Sequence, residues 1–234
     1  MSPYIAEFLG TMVLITLGNG VVAGVVLRGT KSENAGWLTI VIGWGLAVTI
    51  AVYAAGQFSN AHLNPAITLA LFVNNDFPGD KVLGYMLAQF AGAFAGAVLV
   101  WLHYYPHWEK TDVAPNKLGV FCTGPAVRSL GFNLISEIIA TMILVLAILF
   151  IGGNNFADGL NPIVVGGLIV AIGLGLGGTT GFAINPARDL APRLAHAILP
   201  IAGKGTSDWS YAWVPVVGPF IGGLLGSWIF KLLF

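Results

Sequence analysis

Long apolar runs alternate with short polar segments along almost the whole chain. Each run has about 18 or more residues, enough for a helix to cross the roughly 30 Å hydrocarbon core of a bilayer. The pattern predicts an all-α membrane protein with six transmembrane helices. The runs are Tyr4 to Leu27, Gly36 to Gln57, Val82 to Leu102, Phe132 to Ile151, Asn161 to Gly178 and Trp213 to Leu233.

Two short segments between these runs share the sequence Asn-Pro-Ala, at Asn64-Pro65-Ala66 and Asn185-Pro186-Ala187. Asparagine is favoured as a helix N-cap, and proline at the first helical position, where its missing N–H costs nothing. Each segment is therefore predicted to begin a helix. The first helix ends by Phe72 or Val73, after about 14 Å or half a membrane, and the second ends near His196 to Pro200. Such helices are typical of two re-entrant half-helices that meet in mid-membrane.

The two halves of the chain repeat one another. Glu7 is followed 130 residues later by Glu137, and Asn64 is followed 121 residues later by Asn185. Self-similarity of this kind indicates an internal structural repeat. Because each half contains three full spans, the second half must enter the membrane from the opposite side, so the repeat is inverted. We expect a single transmembrane channel domain over 1–234, with repeats at about 1–102 and 132–234 joined by a loop at 103–131.

Composition restricts the class of protein. Of the 234 residues, 56% are hydrophobic and 9% are charged, and the mean hydropathy is +0.84, which excludes a soluble globular domain. Ten Lys and Arg balance ten Asp and Glu, so no basic surface for nucleic acid is expected. Cys122 is the only cysteine, which excludes an internal disulfide and predicts an unpaired thiol in a connecting loop. We predict neither an enzyme nor a metal or cofactor site.

The half-helices carry the first candidate chemistry. Each places about half a positive charge at its N-terminus in the middle of the bilayer, where cations, hydronium included, would be repelled. Asn64 and Asn185 cap these helices with their side chains, which leaves amide N–H groups to donate to a passing hydroxyl or water. The alternative, that both residues only cap buried helices, fits a duplicated membrane motif less well.

Arg188 lies three residues after Asn185 and is expected near the same face of its half-helix. A guanidinium in apolar surroundings is expensive and usually marks a function. The alternative is a structural arginine paired with Asp189. Asp189 itself is expected to support the structure, through the dipole of the first helical turn and a pair with Arg193.

Glu7 and Glu137 occupy equivalent places on the first and fourth spans. Two ionisable groups inside a membrane can indicate a proton relay. Their symmetry fits better with accepting hydrogen bonds from the irregular backbone that leads into each half-helix. His62, two residues before Asn64, is expected either to line the pore or to be a hydrogen-bonded structural histidine.

These features together resemble the major intrinsic protein family, the aquaporins and glycerol facilitators. The duplicated Asn-Pro-Ala motifs, the glutamates on the first and fourth spans and the inverted repeat cover nearly the whole chain. The segment Leu17-Gly18-Asn19-Gly20-Val21-Val22 and the aspartate directly after Arg188 are similar to the glycerol-conducting branch. The resemblance implies a homotetramer with one pore per subunit, in the plasma membrane, with both termini in the cytoplasm.

The resemblance also implies where the pore is narrowest. The family's constriction of aromatic residues and arginine, its selectivity filter, would fall on Trp44, Gly173, Phe182 and Arg188. Water-selective members resemble one another in having histidine at the position of Gly173, so glycine implies a wider constriction. Trp44 and Phe182 would face the carbon chain of a polyol, and Arg188 its hydroxyl groups.

The implied function is passive conduction of small uncharged solutes with exclusion of ions and protons. The implied solutes are glycerol, water, dihydroxyacetone, urea and the protonated form of a small organic acid. Three alternatives stay open on the sequence: a secondary transporter, a water-selective channel and a structural membrane protein with a closed pore. Secondary transporters share inverted repeats and broken helices, and proton coupling would use Glu7, Glu137 or His62. Membrane orientation is open too, because only Lys81 and Lys231 would lie on the cytoplasmic side, and the positive-inside rule alone favours the opposite topology.

Overall fold

The fold consists of helices only. The computed structural model describes all 234 residues, with ten α-helices and no strand. In chain order they are α1 (Pro3–Val26), α2 (Trp37–Ser59), α3 (Pro65–Val73), α4 (Gly79–His103), α5 (Tyr105–Lys110), α6 (Ala114–Phe121), α7 (Leu130–Gly152), α8 (Asn161–Gly175), α9 (Pro186–Ile198) and α10 (Val214–Leu233). Five of them, α1, α2, α4, α7 and α10, are long and apolar enough to cross a membrane. The predicted all-α membrane fold is confirmed.

The fifth span is shorter than predicted. The apolar run Asn161 to Gly178 predicts a full span, whereas α8 ends at Gly175 and has 15 residues, which is about 22 Å at 1.5 Å per residue. The end of the run is rich in glycine, which has low helix propensity, so the helix stops before the apolar composition does. The chain then turns to Gly181, whose φ of +83° suits a residue without a side chain.

The half-helices α3 and α9 begin and end where the sequence predicts. In each, the asparagine N-cap accepts a hydrogen bond from the backbone. Asn64 Oδ1 accepts from the Ala66 N–H at 2.9 Å, and Asn185 Oδ1 accepts from the Ala187 N–H at 3.0 Å. These caps satisfy N–H groups that the start of a buried helix would otherwise leave unpaired.

The connection between the halves is more ordered than its composition predicts. Residues 103–131 are expected to be a linker, yet they contain α5 and α6, each with a proline in its first turn. The helix α6 packs against α1 and α9. Cys122 follows α6 directly and is unpaired, as predicted; it is also buried, and burial raises the pKa of its thiol. The linker therefore contributes to the surroundings of α9.

The internal repeat is visible in how the helices pack. The helix α1 packs against α2 and α4, and α7 packs against α8 and α10. A side chain at Gly92 would overlap the carbonyl oxygen of Phe8, and a side chain at Gly222 would overlap that of Ile138. Both members of the second pair lie 130 residues after those of the first. Glycine thus lets two equivalent pairs of helices approach backbone to backbone.

Candidate functional site

The two half-helices are joined through their asparagine caps. Asn64 Nδ2 donates a hydrogen bond of 2.7 Å to the Ile184 carbonyl, and Asn185 Nδ2 donates one of 2.8 Å to the Leu63 carbonyl. A carboxamide has two N–H donors, so one is committed to the protein and one remains for a hydroxyl or water. The sequence predicts available N–H groups but not this cross-connection, which depends on the fold bringing both segments together.

The segments that precede the half-helices have an unusual backbone. Four of their residues, Ala61, Leu63, Phe182 and Ile184, have positive φ angles between +40° and +53°. This conformation is strained for residues other than glycine and persists only where the surroundings impose it. The four form two pairs separated by 121 residues, so the strained conformation is built once in each half.

Glu7 and Glu137, both fully buried, stabilise these strained segments. Glu137 accepts hydrogen bonds from the backbone N–H groups of Ala183 at 3.0 Å and Ile184 at 2.9 Å. Glu7 accepts the equivalent bonds from the N–H groups of His62 and Leu63, which lie 121 residues before Ala183 and Ile184. It accepts a further one from Gln89 Nε2 at 2.8 Å. Both carboxylates therefore accept the bonds expected from the irregular backbone, which leaves little in the geometry to favour a proton relay.

Arg188 and two aromatic side chains lie together on the wall of one cavity, at what we call the aromatic–arginine corner (Trp44, Phe182 and Arg188). The guanidinium carbon of Arg188 lies 4.2 Å from the centre of the Trp44 ring, a cation–π distance. Arg188 Nη1 donates to the Phe121 carbonyl at 3.5 Å, which is long for a hydrogen bond. A guanidinium has five N–H donors, so most of those of Arg188 have no acceptor in the protein. The corner combines free donors with apolar ring surface.

Gly173 does not lie on the wall of this cavity. A β-carbon there would be 3.0 Å from Phe182 Cζ and 2.7 Å from Val41 Cγ1, so the space beside Gly173 is filled by its neighbours. Its carbonyl accepts a hydrogen bond from Trp37 Nε1 at 3.3 Å. Of the four filter residues expected from the sequence, three line the cavity, and the fourth makes room for the Phe182 ring behind it.

The cavity that contains the corner has a volume of about 220 Å³ and a mostly apolar wall. Its polar positions include His62, Asn64, Asn185 and Arg188, so it brings together the asparagine pair and the arginine. Pro65, Ala66, Pro186 and Ala187, the remaining residues of the duplicated motif, form the first turns of α3 and α9. The motif thus supplies two of the polar side chains of a wall that is otherwise mostly apolar.

Several wall residues were not predicted, although a signal for them exists. Val48 and Val52 follow Trp44 along α2 at a spacing of four, and Val165 and Ile169 follow Asn161 in the same way along α8. Residues four apart share one face of a helix. The residues at intervals of four from the predicted filter positions, Trp44 on α2 and Gly173 on α8, therefore indicate which face of each helix lines the cavity.

His62 combines the two roles that the sequence left open. It belongs to the cavity wall, and its Nδ1 lies 3.1 Å from Thr68 Oγ1. Its ring packs against the rings of Phe77 and Tyr85, with centroids 4.6 and 4.9 Å away. These contacts hold the imidazole in place at the wall.

Asp189 binds the loop before α7 and does not pair with Arg188. Its Oδ1 accepts hydrogen bonds from Arg193 Nε at 2.9 Å and Nη2 at 2.8 Å, and its Oδ2 accepts two of 2.7 Å from Thr123. The expected pair with Arg193 is therefore present. Arg188 forms no ion pair with Asp189, so the structure gives no support to the alternative of a structural arginine.

Comparison with known proteins agrees with this geometry. The family model described as "Major intrinsic protein" matches residues 1–230. A probable glycerol uptake facilitator protein of Thermotoga maritima is 60% identical over 234 residues, which is 100% of both chains. The glycerol uptake facilitator protein of Bacillus subtilis is 56% identical over 234 residues, which is 100% of this chain and 85% of that protein. The X-ray structure of the aquaglyceroporin from Plasmodium falciparum superposes with a TM-score of 0.86 at 34% identity, covering 97% of this chain and 94% of that one.

Proposed function

Because the chain belongs to the major intrinsic protein family, we propose that it is a passive membrane channel for glycerol. Water and other small uncharged solutes pass with glycerol, and ions and protons are excluded. Relatives named as glycerol uptake facilitators, 56% to 60% identical to this chain, support glycerol as the solute. The observation that carries the proposal is the aromatic–arginine corner, where unpaired donors lie beside two aromatic rings.

The corner matches the two sides of a linear polyol. Arg188 has N–H donors without a protein acceptor, and these replace the water that a glycerol hydroxyl loses on entry. Trp44 and Phe182 provide ring surface for the carbon chain, which makes no hydrogen bonds. A cation, or a solute with no acceptor for these donors, loses hydration without this compensation.

Ion exclusion follows from the half-helices and the arginine together. The N-termini of α3 and α9 meet at the asparagine pair, so their positive dipole ends lie in the same part of the cavity. The guanidinium of Arg188 adds a full positive charge near one of them. A cation in the pore would therefore be repelled at two successive positions, whereas a neutral molecule would accept hydrogen bonds from Asn64 and Asn185.

A carrier coupled to protons is less consistent with the site. Glu7 and Glu137 are committed to backbone N–H groups, and His62 is held by Thr68 and two aromatic rings. The two carboxylates are therefore occupied by backbone donors, and the His62 ring is held in one orientation, so the geometry offers no pair of groups arranged to pass a proton along.

We also propose dihydroxyacetone, urea and the protonated form of a small organic acid as further solutes, to be compared with glycerol in the flux measurement below.

Concentration dependence distinguishes a channel from a carrier. In proteoliposomes, the initial rate of labelled glycerol uptake should rise linearly with glycerol concentration and should not change when a proton gradient is imposed. A channel has no alternating step to saturate, which is the physical reason. Saturating uptake that follows the proton gradient would support the carrier. Uptake equal to that of protein-free vesicles would support a closed structural protein.

Assembly and orientation are part of the proposal. We propose a homotetramer in the plasma membrane with both termini in the cytoplasm, and one channel domain over 1–234 made of inverted repeats at about 1–102 and 132–234. Native mass spectrometry tests the tetramer, and a species of one subunit would contradict it. A reporter fused after Phe234 tests the orientation, and activity only outside the cytoplasm would favour the topology expected from charge alone.

A further inference from the structure

We propose that Asn19 is a positioning residue for the aromatic–arginine corner, and that it acts through the Phe121 carbonyl, which it shares with Arg188. The inference rests on the proposed function, because its effect is on the balance between glycerol and water. Asn19 belongs to the segment Leu17 to Val22, whose resemblance to the glycerol-conducting branch implies no role for any single residue. The structure provides one.

Asn19 is a buried polar side chain that is only half satisfied. It lies on α1, is fully buried, and donates one hydrogen bond of 3.3 Å from Nδ2 to the Phe121 carbonyl. Its Oδ1 is buried and has no hydrogen-bond partner. Most buried polar atoms in folded proteins are paired, and each exception requires an explanation. An apolar side chain would fill this place without an unpaired oxygen, so packing alone does not explain the asparagine.

The acceptor of Asn19 lies where the connection between the halves, residues 103–131, reaches Arg188. Phe121 is the last residue of α6, and its carbonyl accepts from Asn19 Nδ2 at 3.3 Å and from Arg188 Nη1 at 3.5 Å. A carbonyl oxygen has two lone pairs, so the two donors together satisfy it. Asn19 fixes the direction of this carbonyl, and the carbonyl in turn holds one edge of the guanidinium.

The residue before Asn19 supports the other side of the corner. A side chain at Gly18 would overlap the six-membered ring of Trp44, so the ring packs directly on the α1 backbone. Arg188 stacks on that ring with its guanidinium carbon 4.2 Å from the ring centre. Two adjacent residues of α1 thus position both groups that hold Arg188, although neither belongs to the expected filter.

Loss of the Asn19 donor should change how Arg188 meets a solute. Without it, the Phe121 carbonyl has Arg188 as its only partner, and the long Nη1 contact can shorten. The guanidinium would then move from Trp44 towards Phe121, which changes where its remaining donors point in the corner. Glycerol, which needs several hydrogen bonds at the corner, should be slowed more than water, which needs fewer.

The test is the ratio of glycerol to water permeability in proteoliposomes of the Asn19→Leu variant, measured by stopped-flow light scattering. Leucine has the same branching and the same number of side-chain heavy atoms, and it removes both the donor and the unpaired oxygen. We expect the ratio to fall by about threefold or more, the change that follows from redirecting one hydrogen bond. The thermal midpoint of the purified protein should not fall, because an unsatisfied buried atom has been removed.

Asn133→Leu is the matched control. Asn133 is also a buried asparagine that ties a loop to a helix, donating from Nδ2 to the Val127 carbonyl at 3.1 Å and accepting from the Ser129 N–H at 2.8 Å. It makes no contact with the corner, so its loss should lower the thermal midpoint and leave the permeability ratio unchanged. The two variants therefore separate a loop anchor from a positioning residue.

Several outcomes would overturn the inference. A folded Asn19→Leu protein with the wild-type ratio would show that Asn19 does not act on the corner. If that variant does not fold, Asn19→Ser, which is too short to reach the Phe121 carbonyl, replaces it with the same expectation. Failure of both to fold would make Asn19 a residue of stability only. Absence of glycerol flux in the wild type would instead contradict the proposed function, and is thereby distinguished from failure of the inference.

Discussion

Replacing Arg188 by alanine should make the pore conduct small cations and protons, while glycerol and water continue to pass. Arg188 carries the only full positive charge on the cavity wall. A cation about 4 Å from a unit charge is opposed by about 4 kcal/mol at an effective dielectric constant of 20. The half-helix dipoles remain in the variant, so part of the barrier persists. Each tenfold in permeability corresponds to about 1.4 kcal/mol, so losing only about a third of this barrier raises proton and cation permeability about tenfold, and we expect at least that rise.

The measurement is the reversal potential and conductance of reconstituted bilayers, with glycerol flux recorded on the same preparation. Arg188→Lys keeps the charge but loses the planar fork that stacks on Trp44, so it should exclude ions and change only the balance of solutes. Arg128→Ala removes an exposed arginine that pairs with Asp208 outside the corner, and should behave as the wild type. Unchanged ion permeability and solute balance in Arg188→Ala would mean that this residue is structural.

Replacing Glu137 by leucine should strongly destabilise the folded protein. The carboxylate accepts hydrogen bonds from Ala183 N–H, Ile184 N–H and Thr180 Oγ1, at 3.0, 2.9 and 2.6 Å. Leucine leaves two buried backbone N–H groups unpaired, at about 1–3 kcal/mol each. The strained segment that places Asn185 then keeps the bond from Asn64 to the Ile184 carbonyl but loses the carboxylate that holds its N–H groups. We expect the thermal midpoint to fall by about 10 °C, with a matching loss of glycerol flux.

Glu137→Gln provides a graded comparison. Its single oxygen can still accept, but its amide group turns a donor towards backbone donors, so its midpoint should lie between those of the leucine variant and the wild type. Glu109→Leu removes an exposed glutamate on α5 and serves as the control with no expected effect. A stable Glu137→Leu protein with normal flux would show that the buried carboxylate is dispensable.

Local signals in the sequence were sufficient for the half-helices. Asparagine as a cap and proline at the first helical position act within one turn, so the starts of α3 and α9 follow from neighbouring residues alone. The glutamates could be assigned for a different reason. A buried carboxylate needs donors, and the irregular backbone before each half-helix is the nearest source of unpaired N–H groups.

The features that were missed depend on contacts between distant segments. The length of 103–131 and its polar composition predict a linker, because nothing local reveals that α6 will pack on α1 and α9. The sequence places Gly173 at the predicted filter but does not show that Val41 and Phe182, from two other segments, fill the space beside it. The bond between Asn19 and the Phe121 carbonyl joins residues 102 apart and has no signal in the sequence of either segment.

The central claim is that the aromatic–arginine corner sets the passage of glycerol, and the space at Gly173 offers its most direct test. Alanine at this position would push with a single methyl group on Val41 and on the Phe182 ring, and histidine would push further. Gly167→Ala on the same helix, where a β-carbon meets nothing within 4 Å, is the matched control.

We would measure stopped-flow light scattering of proteoliposomes under matched glycerol and sucrose gradients for the wild type, Gly173→Ala, Gly173→His and Gly167→Ala. We expect fast glycerol entry in the wild type and in Gly167→Ala. From Gly173→Ala to Gly173→His we expect a graded loss of glycerol entry that exceeds the loss of water flux. Equal loss of glycerol and water flux, or fast water flux without glycerol entry in the wild type, would contradict a role of the corner in glycerol passage.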